Sequence, residues 1–264
     1  MIIDLEGKRA LVSGSTAGIG YAIAKGLAAA GAAVVINGRG DARVGEAVKR
    51  LRKEVSAGQI EGAAADLSSA EGIKRLTDRV PETDILVNNM GIFEPKPFEE
   101  ISDDDWHRFF EANVMSGVRL SRHYLPYLKR TNWGRIVFVS SESGLNIPVE
   151  MIHYGMTKTA ELAISRGLAE SLAGTGITVN AVLPGPTRSE GAGNFFAKIA
   201  KEQGKSQDEV ERNFIATHRP TSLIRRLATI EEVANMVVYA CSPQASATTG
   251  AALRVEGGIV EAIA

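Results

Sequence analysis

The sequence predicts an α/β domain built on a doubly wound, parallel, seven-stranded sheet with helices on both faces. Short β-rich runs alternate along the chain with longer helical patterns, and such alternation implies βαβ units that close right-handed. The strand runs are nearly continuous in apolar character, as in Ile85-Leu86-Val87, which marks strands buried on both faces. No internal repeat, low-complexity tract or Pro- or Ser-rich linker divides the 264 residues, so 1–264 is expected to form one domain.

Arg9-Ala10-Leu11-Val12 reads as the first strand, and Ile19 to Ala30 as a helix stopped by Gly31. Ala33-Val34-Val35-Ile36 is the second strand, Ala42 to Val55 the second helix and Ile60 to Ala65 the third strand. Ile85 to Val87 follows as the fourth, and Asp103 to Lys129 contains a long helix. Arg135 to Val139 is the fifth strand, Ile152 to Ala173 a helix and Ile177 to Leu183 the sixth strand. Glu231 to Ala240 is the last long helix and Ala251 to Val255 the seventh strand. The stretch 189–228 breaks the rhythm with two helical patterns, Asn194 to Gln203 and Gln207 to Thr217, and no strand between them. An insertion after the C-terminal end of a strand is where a helical substrate lid would sit.

Composition excludes several classes. Hydrophobic residues make up 44% and charged residues 23%, with a formal net charge of -1. No basic face for nucleic acid is expected. The single cysteine, Cys241, lies in an apolar run; it reads as a buried, inert thiol and not as part of a disulfide or Cys-rich metal site. The four histidines lack HExxH spacing, and no metal site is expected. The first residues lack the layout of a signal peptide. No apolar run approaches the ~20 residues of a membrane span. A soluble, cytoplasmic protein is the expectation.

Ser13-Gly14-Ser15-Thr16-Ala17-Gly18-Ile19-Gly20 lies between the first strand and the first helix. A pyrophosphate needs backbone N–H groups at a helix N-terminus with no side chains in the way, and Gly14, Gly18 and Gly20 meet that need. The spacing is GxxxGxG, not the general GxGxxG. Gly204-Lys205-Ser206 imitates the end of a P-loop, but position 199 is isoleucine where that motif needs glycine.

Tyr154 and Lys158 stand four residues apart in a predicted helix, so they share a face. A nearby ammonium favours the phenolate, which fits Tyr154 for proton transfer to a carbonyl or from an alcohol. Ser140, Ser141 and Ser143 follow the fifth strand, at the sheet edge where open α/β folds bind ligands.

Taken together, these features resemble the short-chain dehydrogenase/reductase family over essentially the whole chain. The resemblance rests on the GxxxGxG turn, Asn88-Asn89-Met90-Gly91 where the family has NNAG, Asn113, Ser141, Tyr154, Lys158, Pro184-Gly185 and the closing Thr249 to Gly258. Met90 departs from the family's alanine, and Ser13 stands where the family has threonine but keeps the hydroxyl. The resemblance implies a Rossmann-type oxidoreductase. Ser141, thirteen residues before Tyr154, would orient the substrate oxygen, and Tyr154 would be the acid/base. Lys158 would lower the tyrosine's pKa and bind the nicotinamide ribose. Asn113 would hold a water linking Lys158 to solvent. Gly14, Ser15, Thr16, Gly18, Ile19 and Gly20 would contact the dinucleotide. Asp66, with Leu67 beside it, would meet the adenine; Asn88 would brace the central strands, with Gly91 nearby. Pro184, Gly185, Thr187 and Ser189 would meet the nicotinamide. The resemblance also implies a homotetramer or homodimer built from the helices at 103–129 and 152–173.

The second strand ends in Ile36-Asn37-Gly38-Arg39. NAD specificity usually needs an acid there to accept from the ribose 2′-OH. Gly38 takes that place, and Arg39 suits a 2′-phosphate. NADP(H) is therefore expected to be favoured, with NAD(H) possible; Asp41, the nearest acid, reads as a helix cap. A serine hydrolase is excluded for want of a GxSxG elbow. The competing reading is a non-catalytic dinucleotide-binding regulatory or scaffold protein, which Ser141, Tyr154 and Lys158 together argue against. The substrate is expected to be a small carbonyl or alcohol, of 3-oxoacyl or related keto type by resemblance. Ile147, Pro148, Val149, Met151, Phe195 and Phe196 are apolar residues placed to shape its site, and Arg188, His218 and Arg219 are placed to meet an anionic group.

Overall fold

In chain order the strands are β1 (Arg9–Val12), β2 (Ala33–Gly38), β3 (Ile60–Ala64), β4 (Ile85–Asn88), β5 (Gly134–Val139), β6 (Ile177–Pro184), β7 (Thr187–Arg188), β8 (Ala228–Thr229) and β9 (Ala252–Val255). The helices are α1 (Gly18–Ala29), α2 (Asp41–Glu54), α3 (Ala70–Arg79), α4 (Asp103–Phe109), α5 (Ser116–Thr131), α6 (Ile152–Ser171), α7 (Glu190–Gln203), α8 (Gln207–His218) and α9 (Ile230–Cys241). This computed structural model describes residues 2–56 and 58–263, the side chains of residues 191, 192, 194 and 195 excepted. Phe195, expected to shape the substrate site, thus has its side chain outside the described residues.

Seven strands form one parallel sheet in the order β3-β2-β1-β4-β5-β6-β9. The order reverses between β1 and β4, and ligands bind outside the carboxyl ends of strands at such a switch point. The near-continuous burial of β4, β5 and β6 follows from two apolar layers. One face packs Ile23 and Leu27 of α1 and Val237 of α9 over Val12 and Ile36. The other packs Leu76 of α3, Tyr124 and Leu128 of α5 and Leu172 over Leu86 and Phe138. Cys241 is fully buried, and burial pushes its thiol up to about 12.

All seven predicted strands are present. Helix α3 is one the sequence reading leaves out. It is short, but its buried residues Ile73, Leu76 and Thr77 recur at helical spacing, an amphipathic signal that the sequence reading passes over. Its start is chemical: Gly72 donates its backbone N–H to the Ser69 hydroxyl at 3.0 Å, an N-cap. The long helix expected across 103–129 is broken in phase by a π-helical turn at Phe110–Met115 between α4 and α5. The excursion after β6 forms α7 and α8, which share a small core of Phe196, Ala200, Val210, Ile215 and Leu227. Its ends are joined by a two-residue parallel ladder, Thr187 opposite Ala228 and Arg188 opposite Thr229. No helix among the described residues is long and apolar enough to cross a membrane.

Helix α9 begins in a capping box: Glu232 N donates to Thr229 Oγ1 at 3.2 Å, and Glu232 Oε2 accepts from Thr229 N at 2.8 Å. Arg226, hydrogen-bonded to both Glu232 oxygens, holds that carboxyl down at about 2. Glu232→Ala is expected to lower stability at neutral pH by about 1 kcal/mol. The native carboxyl is depressed below its ordinary 4.5, so its contribution is present above that value and is lost as pH falls through about 2. Thermal unfolding of both proteins across that acid range checks it: the gap in Tm should narrow as pH falls.

Candidate active site

The C-terminal ends of β1 to β6 border the site. After β1 the chain enters α1 through residues 13–17, with Gly14 at φ 60° and Gly18 at φ 57°, the left-handed region that glycine adopts without strain. Gly20 is needed for another reason: a Cβ there would stand 2.5 Å from the Gly14 carbonyl oxygen. Ala17 caps α1 without a side-chain hydrogen bond, and the first turn holds no acid. Its N–H groups and the positive end of the helix dipole therefore face a cleft lined by Ile19, Arg43, Asn89 and Ser189. Uncapped N–H groups at a glycine-walled helix start suit a pyrophosphate.

The turn is locked from behind. Ser15 is fully buried; its hydroxyl donates to Val12 O at 2.7 Å, and its N–H donates to Asn37 O at 2.8 Å. Asn37, also buried, accepts from Gly14 N at 3.1 Å and donates to Ala63 O at 3.0 Å. Asn89 Nδ2 donates to Ser13 O at 2.9 Å and Gly14 O at 3.0 Å, while Ser13 Oγ accepts from Asn89 N and Met90 N, both at 2.9 Å. The side chains of Ser15 and Asn37 are thus engaged inside the fold, where they shape the turn. Leu67 is likewise buried in the core, so only its main chain faces outward chemistry. The bracing role of Ser13 and Asn89 is one that sequence reasoning missed. Its only signal is small polar residues at the ends of neighbouring apolar strands.

At the end of β2, Gly38 lies under Thr16: a Cβ there would meet Thr16 Cγ2 at 2.6 Å. Arg39 is exposed beside it. Asp41 is not the cap of α2; Gly40 holds that position, and Asp41 lies in the first turn, where its charge complements the helix dipole. Asp66 is exposed, its Oδ1 accepting from Ser68 N at 3.1 Å and Ser68 Oγ at 2.8 Å. Asn88 is buried and donates to Ser121 Oγ at 3.2 Å.

Ser141, Tyr154 and Lys158 come together past the end of β5. The Ser141 hydroxyl caps the following turn by accepting from Ser143 N at 3.1 Å. The Lys158 ammonium lies 5.7 Å from the centre of the Tyr154 ring and donates to Val139 O at 2.9 Å. Burial raises the pKa of the Tyr154 phenol. Lys158 and the Ser141 hydroxyl pull it back, so the expected influence of the lysine is present but does not outweigh burial. Gly91 stands over this group, its Cβ direction 3.6 Å from both Lys158 Nζ and Asn113 Oδ1.

Asn113 sits in the π-helical turn, the kind of local bulge that recurs at functional sites. Its Oδ1 accepts from Ile92 N at 2.8 Å, and its Nδ2 donates to Ile92 O at 3.0 Å and Thr157 Oγ1 at 2.9 Å. The side chain expected to hold a water is thus committed to the backbone after β4 and to α6; it clamps those two elements together. Beyond β6, Gly185 packs against Glu256, where a Cβ would lie 2.8 Å from the carbonyl oxygen. The Thr187 hydroxyl donates to Gly185 O at 2.8 Å. Ser189 reaches the turn, its Cβ 3.5 Å from where a Gly18 Cβ would stand.

Two basic residues expected to meet an anion are otherwise engaged. Arg188 pairs with Glu211 and Asp208 of α8. Arg219 is buried and pairs with Glu142 at 2.8 Å. His218 stacks on Phe214. Phe93, which the sequence reading passes over, stands edge-on to Tyr154 with ring centres 6.3 Å apart. Among the described residues no cluster of three or more His, Cys, Asp or Glu could hold a metal ion.

Residues 14–260 match a family model described as enoyl-(acyl carrier protein) reductase. The chain is 46% identical over 263 residues to the uncharacterized oxidoreductase YvaG of Bacillus subtilis (strain 168), covering 100% of both. It is 34% identical over 266 residues to the 3-oxoacyl-[acyl-carrier-protein] reductase FabG of Aquifex aeolicus, covering 98% of this chain and 100% of that one. Among solved structures, L-sorbose reductase from Gluconobacter frateurii complexed with NADPH and L-sorbose superposes with a TM-score of 0.93 at 30% identity, covering 100% of both chains.

Proposed function

The chain belongs to the short-chain dehydrogenase/reductase family, and from that membership we propose that it is a cytoplasmic, NADP(H)-preferring enzyme that interconverts a ketone or aldehyde with an alcohol. The observation that carries the reading is the meeting of Ser141, Tyr154 and Lys158 beside the uncapped start of α1. A nicotinamide dinucleotide, when bound, supplies or accepts the hydride. Backbone N–H groups of Gly18 to Gly20 would hold its pyrophosphate, and Asp66, Gly91, Pro184, Gly185, Thr187 and Ser189 would contact the rest of it. The Ser141 hydroxyl orients the substrate oxygen. The Tyr154 hydroxyl gives that oxygen a proton during reduction and takes one back during oxidation. Lys158 keeps positive charge beside the phenol, which favours the ionised form that proton donation creates. Asn113 fixes α6 against the segment after β4 that carries Gly91.

The coenzyme preference is supported by the packing at Gly38. A side chain at 38, including the acid that would recognise a ribose 2′-OH, collides with the β-branched Thr16. Arg39 beside it offers a guanidinium to a 2′-phosphate. The substrate is proposed to be a keto compound with an apolar body. Support comes from Phe93 against Tyr154 and from exposed Leu145, Ile147 and Val149 in the segment after Ser141, with α7 and α8 as the lid. The assembly is proposed as a homotetramer or homodimer through α5 and α6. The testing experiment is a panel of 3-oxoacyl esters, simple ketones and ketoses, followed by NADPH and NADH absorbance on protein sized by light scattering. Turnover with NADPH at least about tenfold more efficient than with NADH is expected. Cofactor binding without turnover across the panel would return the molecule to a scaffold role, and a tenfold advantage for NADH would reverse the coenzyme assignment.

A further inference from the structure

Glu161 is a buried acid on α6 that the mechanism above does not use. Its side chain is 2% exposed, and both carboxylate oxygens lie 3.1 Å from Lys158 Nζ. Tyr154, Lys158, Glu161 and Ser165 follow one another at helical spacing along one face of α6. The last three are buried, where a helix ordinarily places apolar side chains. An isolated buried carboxylate is costly, and a purely structural helix would put a leucine or valine here. What Glu161 does instead is supply one negative charge to one ammonium inside the site.

We propose that Glu161 is a positioning residue of this site: its carboxylate, locked on Lys158, balances the ammonium charge and so holds Tyr154 in its protonated, proton-donating form. The inference rests on the reading of Tyr154 as the acid/base. A phenol beside an unbalanced ammonium is drawn toward phenolate; a carboxylate on the far side of that ammonium opposes the pull. Lys158 thereby keeps its place and its donor atoms while its net influence is reduced. The direction agrees with the electrostatics, in which Glu161 acts on Tyr154 against Lys158. Burial disfavours the Lys158 ammonium, yet Glu161 together with Tyr154 raises its pKa, while burial lifts Glu161 itself to about 7. The charged groups around the pair are few. Ser140, at the end of β5, acts on Glu161. Glu142, in the turn after β5, also acts on Tyr154 but is itself paired with Arg219. Asp105, Glu94, Lys96 and Arg108 act at the other end, on His153 in the first turn of α6. Neutralising Glu161 therefore removes the charge bonded to Lys158 and leaves these others in place.

The test is a phenolate titration by near-ultraviolet absorbance on cofactor-free protein, for wild type, Glu161→Gln and Glu161→Met. Each is read against the same protein carrying Tyr154→Phe, which subtracts the other tyrosines. Met needs no hydrogen-bond partner and covers the case in which Gln destabilises the helix. In either neutral variant the Tyr154 phenolate is expected about one pH unit lower, a tenfold gain in phenolate at fixed pH. The alkaline fall of kcat/KM for reduction should move with it, and Glu161→Asp should restore the wild-type titration. A titration that stays put, or moves upward, overturns the proposal, as does failure of both neutral variants to fold, which would make the residue structural only. A shifted titration in a protein that turns over no carbonyl sinks the proposed reaction and leaves the charge balance standing.

Discussion

Tyr154→Phe is expected to lower kcat for carbonyl reduction by about 10³-fold while leaving the fold and dinucleotide binding nearly untouched. Phenylalanine keeps the ring, its edge contact with Phe93 and its place on α6; only the hydroxyl beside Ser141 goes. In the proposed reaction Ser141 would still orient the substrate oxygen, and the cleft at Gly18 to Gly20 is unaltered, so affinity should survive where proton delivery fails. Turnover with NADPH, set beside cofactor binding followed by protein fluorescence, checks both halves. A variant retaining a tenth or more of the wild-type rate would remove Tyr154 from the acid/base role. Equal loss of binding and rate would mean instead that the ring was holding the site together.

Lys158→Met should be among the most destabilising substitutions in the molecule, by about 3 kcal/mol, because it strands Glu161 as a buried carboxylate without its ammonium. The loss should depend on pH with a defined sign. Glu161 already has a folded pKa near 7, above its ordinary 4.5, and removing the lysine pushes it higher still. The folded state then binds the proton more tightly than the unfolded chain. Stability therefore falls as pH rises through the interval above 4.5, and the variant suffers most at alkaline pH. Denaturant unfolding at about pH 5 and about pH 8, placed on the two sides of that folded pKa, should show the larger deficit at the higher value. The double variant Lys158→Met, Glu161→Met should recover much of the stability, since paired apolar replacements of buried ions are often well tolerated. A deficit independent of pH would show that the lysine stem, not its charge, is what the fold needs.

The inner strands could be located from sequence because they are apolar runs that the sheet buries almost throughout, and burial on that scale leaves a mark in composition; the edge strands β3 and β9 are less buried and were placed by their rhythm with the helices. Helix α3 carried a different mark, an amphipathic pattern with Ile73, Leu76 and Thr77 on its buried face, spread over only ten residues behind the polar Ser69 cap. The π-helical turn is invisible from sequence. One extra residue in a turn changes phase, and nothing in Phe110 to Met115 announces it; its cause lies in Asn113 reaching across to Ile92 and Thr157. Within the site, the glycine positions could be read because they answer a steric demand. The inward direction of the Ser15 and Asn37 side chains could not be read, because nearness to a ligand turn in sequence says nothing of which way a side chain faces. Glu161 carried a legible signal, an acid three residues past Lys158 on the face that had to be buried, but the strong Tyr154–Lys158 spacing drew attention to itself first.

The short ladder between β7 and β8 has an effect out of proportion to its size. It brings the two ends of the stretch holding α7 and α8 side by side, with Ala228 N bonded to Pro186 O at 2.9 Å, and that stretch keeps its own small core. The main sheet leaves through one post and resumes beside it at the other. Segments of different length and composition can therefore be exchanged between these posts while β1 to β6 and β9 keep their register. On the proposed reading of α7 and α8 as a lid, this closed-off segment could change its shape while Ser141, Tyr154 and Lys158 keep their places on the main sheet and α6.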